Sequence, residues 1–392
     1  MIETARGYGR GILRGIAKYV RRLHNPWEFY FNPGDFDQML PKMKEWSGHG
    51  IIARIQDEKM AREIQKTGLP VIALDFSQSL KDQGVTFEKF GEVQSDSHAA
   101  AVLAAEHFLE RQFTRFAFVG NYDQIWSHLR QDFFQKHLGE KGFTVHTYPI
   151  PARNKKQLRW ELEQANLEQW LQTLPKPIGL LACNDQRGRE VLEACQGARI
   201  NVPYEVAVMG IDNDELLCDL SNPSLTSVAM NTEQGGYQAA ELLDQMMQGR
   251  NPGKKVIIVQ SLRIELRRST DVAAIDDRDM ASVMQYIHQN VGIPISIGEV
   301  AKHVSLSKRT LQIHFKNTFG RTINYEIRTA KLNHARKLLQ ETGLSIPDIA
   351  ELSGFGTSSY LIQCFRQHFK LTPSKYRQTI CEFRSKNGSF SG

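Results

Sequence analysis

The sequence contains no uncharged apolar run of about 18 residues, so it predicts no membrane-spanning helix. Its first residues, MIETARGYGRGILRG, have neither the apolar core nor the small-residue cleavage site of a secretion signal. The five cysteines are scattered, odd in number and never in a C-x-x-C pair. They argue against a disulfide framework or a structural zinc site and predict a reducing cytoplasm.

Signatures of catalysis are also missing. The segment RGYGRGILRG (Arg6–Gly15) fails the G-x-G-x-x-G spacing because position 12 is Ile, and no G-K-[ST] occurs. The twelve histidines form no H-E-x-x-H motif, and there is no G-x-S-x-G elbow. Asp212 and Asp214 have the chemistry of a glycosidase pair, but their place after a strand fits binding better. We expect no enzyme, no metal and no cofactor; a sugar-processing enzyme with an appended helical domain is the less favoured alternative.

The positive charge is confined to the C-terminal third of the chain. Residues 1–270 contain 33 Lys and Arg against 33 Asp and Glu, whereas residues 271–392 contain 16 against 10, which is the whole net charge of +6. Such a distribution predicts that the C-terminal part meets a polyanion. An ordinary solvated basic surface would look the same by charge alone.

Residues 50–230 alternate short apolar runs with amphipathic segments. Such runs are typical of buried parallel strands with binding loops at their C-terminal ends. The alternation predicts an α/β domain of two linked lobes, and VIIVQSLRIELRRS is predicted to close it as a pair of strands. The predicted strands are Gly50–Ile55, Pro70–Phe76, Arg115–Gly120, Ile178–Asp185 and Val206–Asp214, and the predicted helices are Ser97–Arg111, Trp126–Lys141, Glu161–Thr173, Arg187–Gln196 and Asn231–Gly249.

The last third is helical in pattern and contains one motif twice. The first copy is ISIGEVAKHVSLSKRTLQIHFKNTFG (Ile295–Gly320), and the second is LSIPDIAELSGFGTSSYLIQCFRQHFKLTP (Leu344–Pro373). In each, a short helix, a tight turn and a second helix follow one another. Gly354 marks one turn, and Ser307 and Thr357 are predicted to cap the second helices. This is the plan of a helix-turn-helix motif, whose second helix enters the major groove of DNA.

The outward residues of the second helices are the predicted DNA contacts. Arg and Gln suit base edges, while Ser, Thr and Lys suit phosphates. These residues are Lys308, Arg309, Gln312 and Lys316 in the first copy and Ser358, Ser359, Gln363 and Arg366 in the second.

The closing pattern GF-x-x-x-S-Y…F-x-x-x-F-x-x-TP-x-x-YR resembles the DNA-binding domain of AraC-type transcription regulators. The resemblance covers Asp279–Arg384 and implies two recognition helices in successive major grooves on one face of DNA. Ile313 and Gln363 stand where many relatives carry Arg. The target sequence therefore cannot be borrowed from the family.

The first 270 residues resemble the periplasmic-binding-protein-like sensor of LacI/GalR-type regulators. The supporting stretches are SDSHAAAVLAAEHFLERQFTRFAFVG, PIGLLACNDQRGREVLEAC and VPYEVAVMGIDNDELLCDLSNPSLTSV. Joined to an AraC-type domain, this sensor resembles the xylose-responsive regulators. The resemblance implies a cytoplasmic, homodimeric activator that senses D-xylose, binds an operator in double-stranded DNA and works with RNA polymerase. A different pentose or other small ligand is the alternative.

The resemblance also sets the expected domains. They are an α/β two-lobed sensor at 1–270, a linker at 271–278, an all-α domain with two helix-turn-helix motifs at 279–384, and a tail at 385–392. The family fold opens with a buried central strand, yet the sequence begins at Met1-Ile2-Glu3. Losing such a strand would expose its neighbours' edges, so we expect the natural start to lie about 10 residues upstream.

The expected sugar site combines carboxylates, amides and an aromatic ring. Such groups pair with sugar hydroxyls and cover the C–H face of the ring. Strand-end loops supply acidic and amide side chains, and Trp126 and Arg130 lie one helical turn apart. By similarity to the sensor family, Arg130 and Asp212 are the first candidates. The full predicted set is Arg6 and Tyr8 from the first loop, Trp126, Arg130, Asp185, Asp212 and Asn213.

Three of the polar or aromatic residues near this site have a structural interpretation as well. Trp126 fits equally well as a packed core residue. Asp214 is predicted to be a turn or cap residue, and Asp96, in SDSHAAA, a helix N-cap or a lobe contact.

Overall fold

The computed structural model describes residue 2 and residues 4–23, 27–29, 48–55, 57–76, 80, 84–121, 124–149, 160–250, 255–271 and 277–378. The chain divides into two compact units, Met1–Ala274 and Ile275–Gly392. The division lies inside the segment predicted as the linker, and the predicted tail lies outside the described residues. In this described part, no helix is both long and apolar enough to cross a membrane.

The first unit is built on two mainly parallel β-sheets. One has the strand order β1-β2-β3-β9, with every pair parallel. The other has the order β10-β8-β7-β6-β4-β5, in which only the β10–β8 pair is antiparallel. The strands are β1 (Ile51–Ala53), β2 (Val71–Leu74), β3 (Phe90–Ser95), β4 (Phe116–Val119), β5 (Val145–Thr147), β6 (Ile178–Ala182), β7 (Val206–Asp212), β8 (Thr226–Met230), β9 (Lys255–Val259) and β10 (Ser261–Glu265).

Helices connect these strands, and three of them start at a side chain that satisfies one of the first backbone N–H groups. Asp57, Asp96 and Asn184 each accept such a bond, so the predicted capping role of Asp96 is confirmed. The helices are α1 (Gly7–Val20), α2 (Glu58–Gln65), α3 (Ser97–Glu110), α4 (Ile125–Glu140), α5 (Trp160–Thr173), α6 (Asp185–Gly197), α7 (Glu215–Leu220) and α8 (Thr232–Met247).

Helix α1 packs unusually closely against α8. A Cβ atom added at Gly15 would lie 1.9 Å from the Glu233 carbonyl oxygen, and one at Gly236 would lie 2.0 Å from that of Ile12. Only glycine permits this approach. Ile12 and Ile16 are buried in the apolar cluster beneath it, which fixes the N-terminal end of α1 beside the sheets.

The predicted two-lobed α/β fold is confirmed, but two of its details are wrong. The two closing strands do not pair with each other: β9 joins β3 in the first sheet, and β10 joins β8 in the second. The chain crosses between the sheets at Gln260, so the short runs on either side of this residue belong to different lobes. Tyr8, expected in a loop, lies in the first turn of α1.

The second unit is entirely helical in its described part. Its apolar core includes Leu311, Phe315, Leu361 and Phe365, which recur at the predicted spacing of four. Its helices are α9 (Arg278–Gln289), α10 (Ile297–His303), α11 (Lys308–Phe319), α12 (Ile323–Glu341), α13 (Ile346–Leu352) and α14 (Ser358–Phe369).

The two helix-turn-helix copies share their local geometry. Gly354 has φ +69° in the second turn, and Ser305 takes the same left-handed region, φ +54°, in the first. Ser307 accepts a hydrogen bond from the Thr310 N–H, and Thr357 accepts one from the Tyr360 N–H, so both predicted caps are confirmed.

Candidate functional site

Arg130 is the central charged residue of the second-sheet lobe. Only 2% of its surface is exposed. Its Nη2 donates to Asp212 Oδ1 at 3.1 Å, its Nη1 donates to the Cys183 carbonyl oxygen at 2.5 Å, and its guanidinium lies 4.9 Å from the Trp126 ring centroid. Its Nε has no hydrogen-bond partner among the described residues. Since a buried donor left unsatisfied is costly, this N–H is suited to an oxygen of a bound ligand.

Asp212 ends strand β7 in a strained backbone conformation. Its φ is +109° and that of Asn213 is +52°, both in the region that favours glycine. Such strain costs about 1–3 kcal/mol per residue and concentrates where function demands it. Burial raises the pKa of Asp212, while the adjacent Arg130 opposes that shift. The turn therefore holds an acceptor beside a fixed cation.

The first-sheet lobe presents a matching polar group. Tyr8 is 5% exposed, and its Oη has no hydrogen-bond partner among the described residues. The Arg54 guanidinium lies 5.6 Å from the Tyr8 ring centroid, and Arg54 Nη1 donates to Asp75 Oδ2 at 2.6 Å. Burial raises the pKa of Tyr8, and the charges of Asp75 and Asp212 raise it further. Tyr8 thus lies within electrostatic reach of acidic groups from both lobes.

Arg54 and Asp75 are site candidates that the sequence reading missed. Both come at or after the C-terminal end of a strand, Arg54 after β1 and Asp75 after β2. The same signal singled out Asp185 and Asp212. Asp75 also has a positive φ, +49°, as Asp212 does.

Two of the predicted ligand residues have side chains engaged within their own lobe. Asp185 accepts from Ser227 Oγ at 2.5 Å and from the Asp214 N–H at 2.6 Å, and burial raises its pKa to about 8. Asn213 Oδ1 accepts from Arg267 Nη1 at 3.0 Å. Asp185 thus binds the backbone of the loop after β7, and Asn213 belongs to that loop as the chain neighbour of Asp212.

The remaining predicted sugar residues are Trp126 and Arg6. Trp126 is buried, and its Nε1 donates to Gln124 Oε1 at 3.1 Å, so its ring packs under Arg130 with its polar atom satisfied. Arg6 lies at the N-cap position of α1.

An ion pair connects the two lobes beside this cluster. Arg10 Nη2 lies 2.7 Å from both carboxylate oxygens of Asp214. Arg10 belongs to α1, whereas Asp214 follows β7 of the other lobe. Asp214 does occupy the predicted cap position, at α7, but its carboxylate makes no capping bond. Its role is therefore to join the lobes.

The predicted DNA contacts form an exposed face on α11 and α14. All eight are exposed except Ser358, which is half-buried. Ile313 is 54% exposed, and it borders a surface depression with Arg309, Thr310 and Asn317. Thr310 and Asn317 were not among the DNA contacts predicted from the sequence. Their positions three residues before and four residues after Ile313 put them on the same helical face and could have identified them. Polar and cationic groups projecting from two successive second helices can contact phosphates and base edges.

Comparisons with known proteins agree with this architecture. Three family models match: the XylR N-terminal domain at residues 1–88, a periplasmic binding protein-like domain at 105–270, and a helix-turn-helix domain at 300–379. The xylose operon regulatory protein of Haemophilus influenzae is 32% identical over 94% of this chain and 95% of its own. That of Escherichia coli K12 is 30% identical over 97% of both. The chain belongs to the family of xylose operon regulatory proteins.

Solved structures support the same assignment. A structure described as the xylose-binding transcription activator XylR matches with a TM-score of 0.82, at 29% identity over 97% of both chains. A LacI family regulator from Enterococcus faecium, with bound ribose, matches 70% of this chain and 97% of its own with a TM-score of 0.54 and 18% identity, which shows the sensor fold alone. The chain is accordingly a DNA-binding transcription regulator with a periplasmic-binding-protein-like sensor and an AraC-type helix-turn-helix domain.

Proposed function

We propose that this regulator binds D-xylose between the two sensor lobes and, as a homodimer, activates xylose catabolism genes by recruiting RNA polymerase in the cytoplasm. One observation carries the proposal: Tyr8 Oη and Arg130 Nε, from opposite lobes, are both buried and lack a hydrogen-bond partner among the described residues. Ligand hydroxyls satisfy both groups at once, which requires a small polar molecule between the lobes.

The chemistry around these two atoms suits a pentose. Each sugar hydroxyl donates one hydrogen bond and accepts others. Asp75 and Asp212 supply acceptors, while Arg54 and Arg130 supply donors, so a ring of hydroxyls finds both kinds of partner. The chain's similarity to proteins described as xylose operon regulatory proteins makes D-xylose the first candidate among the pentoses.

The coupling to DNA follows from binding across two lobes. A ligand held by both lobes favours one arrangement of the lobes. The size of the population shift is set by how much more tightly the ligand binds that arrangement than the other. Arg10 and Asp214 already join the lobes at the same place. In a dimer, the chosen arrangement sets the spacing of four recognition helices on adjacent half-sites.

The test is a titration of the full-length protein with D-xylose, L-arabinose, D-ribose and D-glucose, followed by tryptophan fluorescence and thermal shift. Trp126 lies under Arg130 and reports on the site. We expect a saturable response selective for D-xylose, lost in Asp212→Ala and retained in Asp132→Ala, an exposed aspartate on α4 that serves as control. A selective response to another of the sugars would transfer the proposal to that ligand. No response to any of them would refute it.

A further inference from the structure

The segment Arg267–Thr270 is the last part of the sensor before the chain leads to the DNA-binding domain. Its end is anchored in the second-sheet lobe. Ser269 Oγ donates to the Val208 carbonyl oxygen at 2.6 Å, and Thr270 Oγ1 lies 2.9 Å from both Thr226 Oγ1 and His107 Nε2. Ser269 and Thr270 are fully buried. The segment is thus a fixed extension of the lobe.

Arg267 connects this segment to the loop that carries Asp212. Its Nη1 donates to Asn213 Oδ1 at 3.0 Å and to the Leu225 carbonyl oxygen at 3.1 Å. Its Nε donates to Asp219 Oδ1, on α7, at 2.6 Å. Its own backbone N–H donates to Thr226 Oγ1 at 2.9 Å. The Arg267 side chain therefore connects the Asp212–Asn213 turn and helix α7 to the segment Arg267–Thr270.

We propose that Arg267 is a positioning residue that transmits the state of the Asp212–Asn213 turn to the segment leading to the DNA-binding domain. This inference rests on the proposed function. Asn213 is the chain neighbour of Asp212 and shares its positive-φ turn. A ligand that engages the Asp212 carboxylate shifts that turn, and the Asn213 carboxamide carries the shift to the guanidinium. The Arg267 backbone then passes it to Ser269 and Thr270.

The experiment compares Arg267→Leu with the full-length parent and with Arg263→Leu as the matched control. Arg263 lies on β10, and its 69% exposed side chain pairs with Glu265 of the same strand. Two quantities are measured: the dissociation constant for D-xylose by fluorescence, and that for a labelled duplex, selected by the parent from a random-sequence pool, with and without D-xylose. The ratio of the two DNA constants is the coupling, which in regulated proteins is typically about 5–150-fold.

We expect Arg267→Leu to bring this ratio close to one, with the dissociation constant for D-xylose within about threefold of the parent, while Arg263→Leu keeps the parental ratio. By reciprocity, the DNA should also cease to alter D-xylose affinity in the Arg267 variant. An unchanged ratio, or DNA binding weakened equally with and without sugar, would show that Arg267 is only structural and overturn the inference.

A second variant guards against a folding defect. Asp219→Ala removes the carboxylate that pairs with Arg267. Because the Asp219 side chain is 67% exposed, the fold should tolerate this substitution. It should lower the coupling ratio in part, and a ratio equal to the parent's would count against the proposal. If the parent itself shows no effect of D-xylose on DNA binding, the proposed function fails first, independently of any variant.

Discussion

Tyr8→Phe should stabilise the ligand-free protein and weaken sugar binding. The hydroxyl of Tyr8 is buried and lacks a partner among the described residues. Leaving such a group unsatisfied costs about 1–3 kcal/mol, so removing it should raise the free energy of unfolding by about 1 kcal/mol without sugar. In the proposed complex with D-xylose, the same hydroxyl should contribute a hydrogen bond worth about 0.5–1.5 kcal/mol.

These two effects add in the binding free energy. The variant loses a bond in the complex and relieves a cost in the free protein, so the dissociation constant for D-xylose should rise about 10-fold or more, at 1.4 kcal/mol per tenfold. Urea denaturation and isothermal titration calorimetry measure the two quantities.

Tyr19→Phe is the matched control on the same helix. Tyr19 Oη donates to Asp244 Oδ2 at 3.0 Å, so its removal should lower stability and leave sugar affinity unchanged. If Tyr8→Phe instead loses stability and keeps its affinity for D-xylose, the Tyr8 hydroxyl is bonded inside the protein, and its assignment to the sugar site is refuted.

Three further predictions concern charge. Arg130→Ala leaves Asp212, whose side chain is 14% exposed, without its cation, and it should cost about 3–5 kcal/mol of stability, measured by urea denaturation, as well as D-xylose binding. A variant that keeps both its stability and its affinity for D-xylose would contradict the placement of Arg130 in the site. Burial raises the pKa of Asp185 from 3.8 to about 8, so the folded state holds a proton that the unfolded chain releases above pH 3.8. The stabilisation from this bound proton is therefore complete below pH 3.8 and disappears as pH rises through about 8. Asp185→Asn should flatten the dependence of the free energy of unfolding on pH across this range. An unchanged dependence would argue against the raised pKa of Asp185. Lys316→Ala should reduce the slope of log DNA affinity against log salt by about 0.9, whereas Lys136→Ala, exposed on α4, should leave it unchanged; equal slopes in both would remove Lys316 from the interface.

Much of the fold follows from the sequence because its signals are local. The apolar runs that become β2 and β6 are buried from end to end, as is β7 up to Ile211, and caps such as Asp96 and Ser307 act within three residues. Strand β3 was not predicted because Glu92 and Gln94 interrupt its pattern. The pairing of β9 with β3 is invisible locally, because it joins residues far apart in the sequence.

The candidate site divides in the same way. The family resemblance predicts Arg130 and Asp212 as sugar-site residues, and their position after a strand makes Asp185 and Asp212 candidates as well. Whether such a carboxylate faces a cleft or turns to Ser227, as Asp185 does, depends on tertiary packing. Arg54 carried the same strand-end signal and was overlooked. The Tyr8 hydroxyl, which has no hydrogen-bond partner among the described residues, is recognised only from the folded structure.

The most direct test of sugar-controlled DNA binding is the affinity of the full-length protein for its selected DNA duplex, measured by fluorescence anisotropy with and without saturating D-xylose. We predict that D-xylose changes the dissociation constant by about 5-fold or more, that L-arabinose does not, and that Asp212→Ala abolishes the effect. Identical DNA affinity with and without D-xylose, in protein shown by calorimetry to be saturated with the sugar, would contradict it.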